Sequence, residues 1–326
     1  MKAAFYTRQG PASEVLQVGE QPTPAPRDGE VLVRLKTSGA NPSDWKSRRG
    51  GGRPMTAPTV IPHSDGAGIV ESVGAGVPAS RIGERVWIWN GQWQRAGGTA
   101  AEWIALPSRQ AVPMPETLDF DAGACLGIPA LTALQAVRLA EIGEGSRVLV
   151  QGGAGAVGRY AIQFAKARGA VVLSTVSSDA KADVARGAGA DHAIDYRRDD
   201  VAARVREATG DAGLDAVIEL DLNRNASTYP AILRAHGTVA IYGLSAPTAT
   251  LPAQWLMWNS VALRPFLVYD LADADRQACL DELTARLACG ELTHAIGLRL
   301  PLAEIAQAHD LLERGEVVGN VVLAIG

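Results

Sequence analysis

The sequence predicts an α/β protein in which a doubly wound parallel sheet is joined to a compact, partly open β-barrel. Three observations carry that prediction. Arg147-Val148-Leu149-Val150-Gln151 is a short aliphatic run that feeds Gly152 and the hexapeptide Gly153-Ala154-Gly155-Ala156-Val157-Gly158, after which apolar residues recur at helical spacing (Val157, Ala161, Ile162, Phe164, Ala165). A second aliphatic run, Ala170 to Val176, follows Gly169 and completes a strand, helix, strand unit. Residues 1 to 118 carry short apolar alternations separated by Gly and Pro, the mark of a small barrel rather than of crossover units.

Within the first region, Glu30 to Lys36 alternates cleanly and Gly68 to Val73 reads as another strand. Arg85 to Trp89 and Ala101 to Leu106 follow after turns. From Thr117 the period changes, and Ala130 to Val137 reads as a helix leading into the glycine turn. Beyond the second strand come a helix over 179–186, a strand over 192–195, a helix over 199–208, a strand over 214–220, a helix over 226–234 and a strand over 237–243. Such alternation makes a doubly wound sheet. Val261 to Tyr269 then gives an extended run, Asp273 to Cys289 a long amphipathic helix, Leu302 to Glu313 a further helix and Asn320 to Ile325 a last strand. That strand is expected to return to the barrel. The expected division is therefore a barrel domain over 1–118, completed by 265–326, around a nucleotide-binding domain over 119–264.

A chain of 326 residues, 47% hydrophobic and 20% charged, is long enough for two cores and has a globular composition. Its net charge of −4 provides no basic stripe for nucleic acid and no polybasic membrane patch, so neither is expected as a partner. No stretch approaches the roughly 20 apolar residues of a membrane span, and the N-terminus lacks an apolar leader, so a cytoplasmic protein is expected. The three cysteines, Cys125, Cys279 and Cys289, have no C-x-x-C spacing and read as free thiols in a reducing compartment.

Gly153 to Gly158 fits G-x-G-x-x-G, in which one glycine makes the turn, one lets backbone approach a pyrophosphate and one lets helix and strand pack closely. The bland alternative is an ordinary glycine-rich αβ turn in a chain holding 35 glycines. The strand-turn-helix context favours a dinucleotide, whose phosphates would face free N–H groups and the positive end of the helix. An NAD-preferring site places Asp or Glu about 20 residues past the glycines to accept from the ribose 2′-hydroxyl. Here Ser177-Ser178 stands there and Lys181 one turn on. Hydroxyls and an ammonium suit a 2′-phosphate, so the expected cofactor is NADPH. The competing reading is that Ser178 or Asp179 caps a helix and Lys181 is solvated.

The order barrel, glycine turn, parallel sheet, helix, return strand resembles the medium-chain dehydrogenase/reductase superfamily, and in particular its zinc-less quinone oxidoreductase branch, related to zeta-crystallin. The resemblance covers nearly the whole chain. It rests on Asn41-Pro42-Ser43-Asp44, Gly66-Ala67-Gly68-Ile69-Val70-Glu71-Ser72-Val73-Gly74, Arg81-Ile82-Gly83-Glu84-Arg85-Val86, the glycine turn, and Gly319-Asn320-Val321-Val322-Leu323. It implies a GroES-like catalytic domain, a Rossmann nucleotide-binding domain and a homodimer. It also implies that zinc-dependent relatives carry a cysteine in the region of Ser38, a histidine where this chain has Ser64, and a four-cysteine lobe near residue 100. This chain has serine at the first two places and no cysteine from Gly91 to Thr99. A catalytic zinc needs three ligands, normally His, Cys or carboxylate, so no metal site is expected. His63, one residue from the zinc-ligand position, reads as a pocket or turn histidine.

Without a Lewis acid to polarise a plain ketone, acceptors that are already electrophilic suffer least. Quinones and α,β-unsaturated carbonyl compounds take hydride to give delocalised anions that need only a few hydrogen bonds and a proton from water. The competing readings are an NADP-dependent alcohol dehydrogenase or ketone reductase and a dinucleotide-binding protein without turnover.

By resemblance, Asn41, Asp44 and Trp45 are the candidate catalytic residues: the Asn41 amide can donate to a carbonyl and Trp45 can stack on a flat ring. Turn chemistry and helix capping compete for Asn41 and Asp44. The resemblance adds Tyr196 to Ser177 and Lys181 at the 2′-phosphate. Ile128, Thr132, Glu219, Gly243, Leu244, Phe266, Leu267 and Val268 are expected beside the cofactor, and Asn320 stands where a lysine is usual. Tyr242 is a candidate proton donor or a packed sheet residue, and Trp87, Trp89, Trp93 and Trp103 line a cleft or fill a core.

Overall fold

In chain order the strands of the computed structural model, which describes residues 1–51, 54, 55 and 57–326, are β1 (Lys2–Phe5), β2 (Gln17–Glu20), β3 (Glu30–Ala40), β4 (Asp65–Val73), β5 (Arg85–Ile88), β6 (Trp103–Pro107), β7 (Ala111–Pro113), β8 (Arg147–Val150), β9 (Val171–Val176), β10 (His192–Asp195), β11 (Leu214–Glu219), β12 (Leu233–Ile241), β13 (Ala262–Pro265), β14 (Ile296–Pro301) and β15 (Asn320–Ala324). They belong to two units, Ala130–Leu283 and Met1–Pro129 with Thr284–Gly326.

The unit Ala130–Leu283 is built on a parallel sheet of order β10-β9-β8-β11-β12-β13. Counted along the chain this is the order 3-2-1-4-5-6 of a Rossmann sheet. Val148, Leu149, Val150, Val172, Leu173, Val217 and Ile218 are fully buried. Strands covered on both faces read as unbroken aliphatic runs rather than alternations. The order reverses between β8 and β11, and there Gln151 N–H donates to the Ile218 carbonyl at 3.1 Å. The helix Val201–Thr209 starts under the Asp200 carboxylate, which accepts from Ala202 N and Ala203 N at 2.9 and 3.1 Å, and stops at Gly210 with φ of +58°. The expected helix over 226–234 is present as a 3-10 turn, Ala226–Thr228, running into a short α-helix, Tyr229–Ile232, but it ends two residues early because Leu233 already pairs with Leu214 of β11. Leu233 and Val239 join the core beneath the sheet, and that burial draws the chain into a strand earlier than its periodicity indicates.

In the other unit the eleven-residue β3 is the spine, pairing antiparallel with β4, β6 and β15 in a sheet of order β14-β15-β3-β4-β5-β7. Val31, Val33 and Leu35 face inward, as their alternation predicts. The final strand β15 does pair with β3, with Leu323 opposite Ser38. Several elements have no sequence forecast, among them the helix Pro42–Arg49 and strands β1, β2, β7 and β14.

The division falls at 129/130 and 283/284 rather than at 118/119 and 264/265. The short helix Phe120–Gly123 lies against β3 and β4. At the other boundary Cys279 Sγ donates to Gln135 Oε1 at 3.3 Å, and Arg276 donates to the Val268 carbonyl, which keeps the start of the helix Asp273–Ala288 with the parallel sheet. Among the described residues no helix is long and apolar enough to cross a membrane.

Candidate functional site

The glycine turn sits at the C-terminal end of β8, at the reversal of strand order where open α/β sheets bind ligands. The sharp turn is made one residue earlier than the hexapeptide suggests, by Gly152 with φ of +67°. Gly153 is demanded by packing instead, since a Cβ there would stand 1.9 Å from Ser174 Oγ and 2.8 Å from Ile162 Cδ1. Gly158 lets helix and turn touch: its Cβ would lie 2.3 Å from the Gly152 carbonyl oxygen. Gly155 is the exposed member and meets only that oxygen, at 3.3 Å. It also occupies the N-cap of the helix Ala156–Lys166 without a side chain to cap it. The first-turn N–H groups, with Ala156 and Val157 half-buried beside them and Ala154 buried beneath, are thus left for an anion. Thr175 braces the turn, accepting from Gly152 N at 3.0 Å and donating to Gln151 Oε1 at 2.7 Å.

At the end of β9, Lys181 Nζ donates to Ser177 Oγ at 3.1 Å, while Ser178 Oγ caps the following helix through Lys181 N at 3.4 Å. The two readings of this segment therefore divide between neighbouring serines. Asp195 of β10 pairs with Val176 of β9, and Tyr196 N–H donates to the Val176 carbonyl at 3.1 Å, so Tyr196 leaves the sheet beside Ser177, half exposed. These residues form one polar cluster on two adjacent strand ends. The residue that sequence reasoning missed here is Arg198, which reaches both Asp195 and Asp179.

Glu219, expected at the cofactor, turns inward. It is fully buried and its carboxylate accepts from Asp221 N and Asn225 Nδ2, both at 2.7 Å, and from Tyr229 Oη at 3.0 Å. Burial pushes its pKa up against those three donors, and a buried carboxylate must be satisfied from inside the fold. Gly243 passes so close to Leu220 that a Cβ would stand 1.8 Å from its carbonyl oxygen, while Leu244 is exposed. Burial raises the pKa of Tyr242, with the nearby Glu219 charge acting in the same direction. Phe266 N–H donates to the Ile241 carbonyl at 3.0 Å, Leu267 is exposed and Val268 is buried. Thr132 is buried and its hydroxyl has no hydrogen-bond partner among the described residues.

In the barrel unit Asn41 caps the helix Pro42–Arg49, and Asp44 Oδ2 accepts from Asn41 N at 2.7 Å. The Asn41 side chain, nearly fully buried, donates from Nδ2 to Asp65 Oδ2 at 2.9 Å. Capping and turn chemistry thus occupy both residues; one Asn41 donor is already committed to Asp65. The same Asp65 oxygen accepts from Ile128 N at 2.9 Å, so a single carboxylate oxygen ties Asn41 to Ile128. Burial drives the Asp65 pKa well above its ordinary value and raises that of Asp44 to about 7. Trp45 is half-buried with Lys46 Nζ 5.8 Å from its ring centroid. Trp87 and Trp89 are core residues. Asn320 is buried and spends its side chain on the Ala295 carbonyl at 3.1 Å, as its own N–H does at 2.7 Å.

His63 belongs to a buried chain of hydrogen bonds whose directions can be assigned in full. Thr99 Oγ1 donates to the Asp65 carbonyl at 2.5 Å, because a carbonyl can only accept. Ser38 Oγ must then donate to Thr99 Oγ1 at 2.8 Å, and His63 Nδ1–H must donate to Ser38 Oγ at 2.8 Å. Desolvation lowers the His63 pKa to about 3, so the ring is neutral and its Nε2 accepts from His309 Nε2–H at 2.9 Å. His63 holds φ of +74°, an unusual conformation that these two bonds fasten. No sequence signal marks His309, which is 246 residues away. Among the described residues no group of three or more His, Cys, Asp or Glu is placed to hold a metal.

Residues 27–116 match the alcohol dehydrogenase GroES-like domain family and residues 156–285 the zinc-binding dehydrogenase family. A quinone oxidoreductase of Rattus norvegicus is 31% identical over 93% of this chain and 91% of its own length. A 2-haloacrylate reductase of a Burkholderia species is 28% identical over 99% and 98%. Among solved structures, an NAD-dependent alcohol dehydrogenase superposes with a TM-score of 0.92 at 30% identity, covering 100% of both chains. A mycobacterial protein complexed with NADPH superposes with a TM-score of 0.88 at 31% identity, covering 99% and 100%. The donor set for the zinc that one family description names does not fit here: Ser38 and Ser64 stand at the places expected for ligands, and both His63 nitrogens are spent.

Proposed function

The chain belongs to the medium-chain dehydrogenase/reductase superfamily, in its quinone oxidoreductase branch, and is an oxidoreductase of nicotinamide dinucleotides; we propose that it reduces quinones or α,β-unsaturated carbonyl compounds with NADPH and without zinc. The observation that carries this reading is the occupation of the zinc-ligand region by Ser38, Ser64 and a His63 whose two nitrogens serve neighbouring side chains. Lacking a Lewis acid, the protein suits acceptors that spread the incoming charge over their own π-system. NADPH, when bound, supplies the hydride. The chain's own residues bind and orient: Gly155 and the first-turn N–H groups take the pyrophosphate, Ser177 and Lys181 the 2′-phosphate with Tyr196 beside them, and Thr132 supplies a hydroxyl.

Asn41 keeps a second amide proton beyond the one given to Asp65, and we assign it to the acceptor oxygen, with Trp45 stacking on the ring. Asp44 serves by holding the Asn41 backbone. The kinship to a 2-haloacrylate reductase supports an activated alkene as an acceptor beside quinones.

The test is NADPH oxidation with a quinone, an enone and a simple ketone, alongside metal analysis of the purified protein. Quinone or enone turnover unaffected by chelator is expected, and chelator-sensitive ketone turnover would overturn the reading. We further propose a homodimer through the edge strand β13, supported by the exposed Met257 and Trp258 shortly before it. Sedimentation should then give twice the chain mass for wild type and the chain mass for Trp258→Glu. A cytoplasmic location accords with the free thiols of Cys125, Cys279 and Cys289.

A further inference from the structure

We propose that Arg198 sets the choice of NADPH over NADH by taking the Asp179 carboxylate out of play. The inference rests on the 2′-phosphate reading of Ser177 and Lys181 given above and explains how an acid so close to that cluster can be tolerated.

Asp179 is the first residue of the helix Asp179–Gly187, two positions beyond Ser177. A carboxylate at this end of the second strand is the group that favours NADH: it can accept from a ribose 2′-hydroxyl and it repels a 2′-phosphate. Asp179 is exposed, so nothing in its own packing prevents that role.

What prevents it is Arg198. Its guanidinium holds Asp179 through both carboxylate oxygens, Nη2 to Oδ1 and Nη1 to Oδ2, the second at 3.4 Å. An isolated exposed pair is weak, because solvent screens it and two long side chains must be ordered. Arg198 is not isolated. Its Nε donates to Asp195 Oδ2 at 2.8 Å, and the Asp195 side chain is only 10% exposed. Asp195 also accepts from Arg197 N at 3.1 Å, and its own N–H donates to Asp199 Oδ2 at 3.0 Å. The guanidinium is thus anchored at the buried end of β10 and extends across to the helix that carries Lys181. Tyr196 lies within the same short segment, so one ionic bridge both neutralises Asp179 and holds the Tyr196 turn near Ser177. Arg198 is a positioning residue in this account and Asp179 the latent determinant it restrains.

The bridge makes a prediction that no general stabilising role would make: the harm done by removing Arg198 is undone by removing the charge of Asp179. The experiment is a fluorescence titration of NADPH and of NADH, without acceptor, on wild type, Arg198→Ala, Asp179→Asn and the double variant. Arg198→Ala should weaken NADPH about tenfold and leave NADH unchanged or tighter, and the loss should shrink as salt screens the exposed charge. The double variant should recover NADPH affinity to within about threefold of wild type, a small residual on the scale where tenfold is 1.4 kcal/mol. Unchanged NADPH affinity in Arg198→Ala overturns the proposal. A double variant as weak as Arg198→Ala also overturns it, since Arg198 would then be touching the phosphate itself. A wild type that binds both nucleotides equally removes the NADPH reading and this proposal with it, an outcome visible before any variant is made.

Discussion

Asp65 Oδ2 accepts a hydrogen bond from Asn41 Nδ2 at 2.9 Å in a place where the Asp65 side chain has no exposure to solvent. The same oxygen accepts from Ile128 N at 2.9 Å, and Oδ1 has no partner among the described residues. Gly127 is required beside it, because a Cβ would stand 2.3 Å from Oδ1. A residue expected to meet the acceptor and one expected beside the cofactor thus share a single buried oxygen.

Asp65→Ala removes that oxygen and leaves two buried donors unsatisfied, which should cost about 2–4 kcal/mol in urea unfolding. Asp65→Asn retains an acceptor and should cost about 1 kcal/mol. The two variants also differ in pH dependence from wild type. The Asp65 pKa is raised in the folded state, so its contribution is full below the unfolded value of 3.8 and is lost as pH rises through the folded value. Asp44, raised to about 7, adds a slope of the same sign between 3.8 and 7. Asp65→Asn should remove its share of that decline.

The histidine pair works in the opposite direction. His63 has a folded pKa of about 3 against an ordinary 6.5, and burial also carries His309 well below, with His63 and the Arg48 charge acting in the same sense. The unfolded chain therefore takes up protons first. Stability is complete above 6.5 and falls between 6.5 and about 3, by at most about 1.4 kcal/mol per pH unit for each ring. Urea midpoints at pH 7 and pH 5 should show a smaller acid loss in His309→Gln than in wild type.

The glycines separate folding from cofactor binding. Gly158→Ala would bring a methyl group against the Gly152 carbonyl and Gly153 Cα, at 2.3 and 2.8 Å, and should lower stability by about 3 kcal/mol or more. Gly155→Ala meets one oxygen at 3.3 Å and should leave the unfolding midpoint nearly unchanged. It should weaken NADPH about tenfold or more by crowding the pyrophosphate, as read by fluorescence titration.

Lys181→Ala removes the ammonium that holds Ser177 Oγ. NADPH affinity should fall about tenfold while NADH affinity stays within about a factor of two, because only the first carries a 2′-phosphate. Equal losses for both would show that Lys181 supports the turn rather than the phosphate.

Several parts of the candidate site are legible in the sequence because their signals are local. The β8 run, the turn at Gly152 to Gly158 and the helix after it lie within a short stretch, and Ser177 and Lys181 are only four positions apart at a helix start. Glu219 is legible as the end of a strand but not in its orientation: only the turn carrying Asp221, Asn225 and Tyr229 shows that its carboxylate points inward. The helix expected over 226–234 stops at Ile232 for a related reason, since pairing of Leu233 with β11 outweighs the helical period.

The sequence by itself determined the parallel sheet, the glycine turn, the polar end of β9 and the return of the last strand to the barrel, because hydrophobic period and turn chemistry are written in neighbouring residues. Only the tertiary structure decided that Asn41 is tied to Asp65, that His63 leans on His309 and that Arg198 restrains Asp179. Those partners are separated by 24, 246 and 19 positions, and the desolvation that makes their hydrogen bonds obligatory, or the bridge that joins them, exists only once the chain has closed around them.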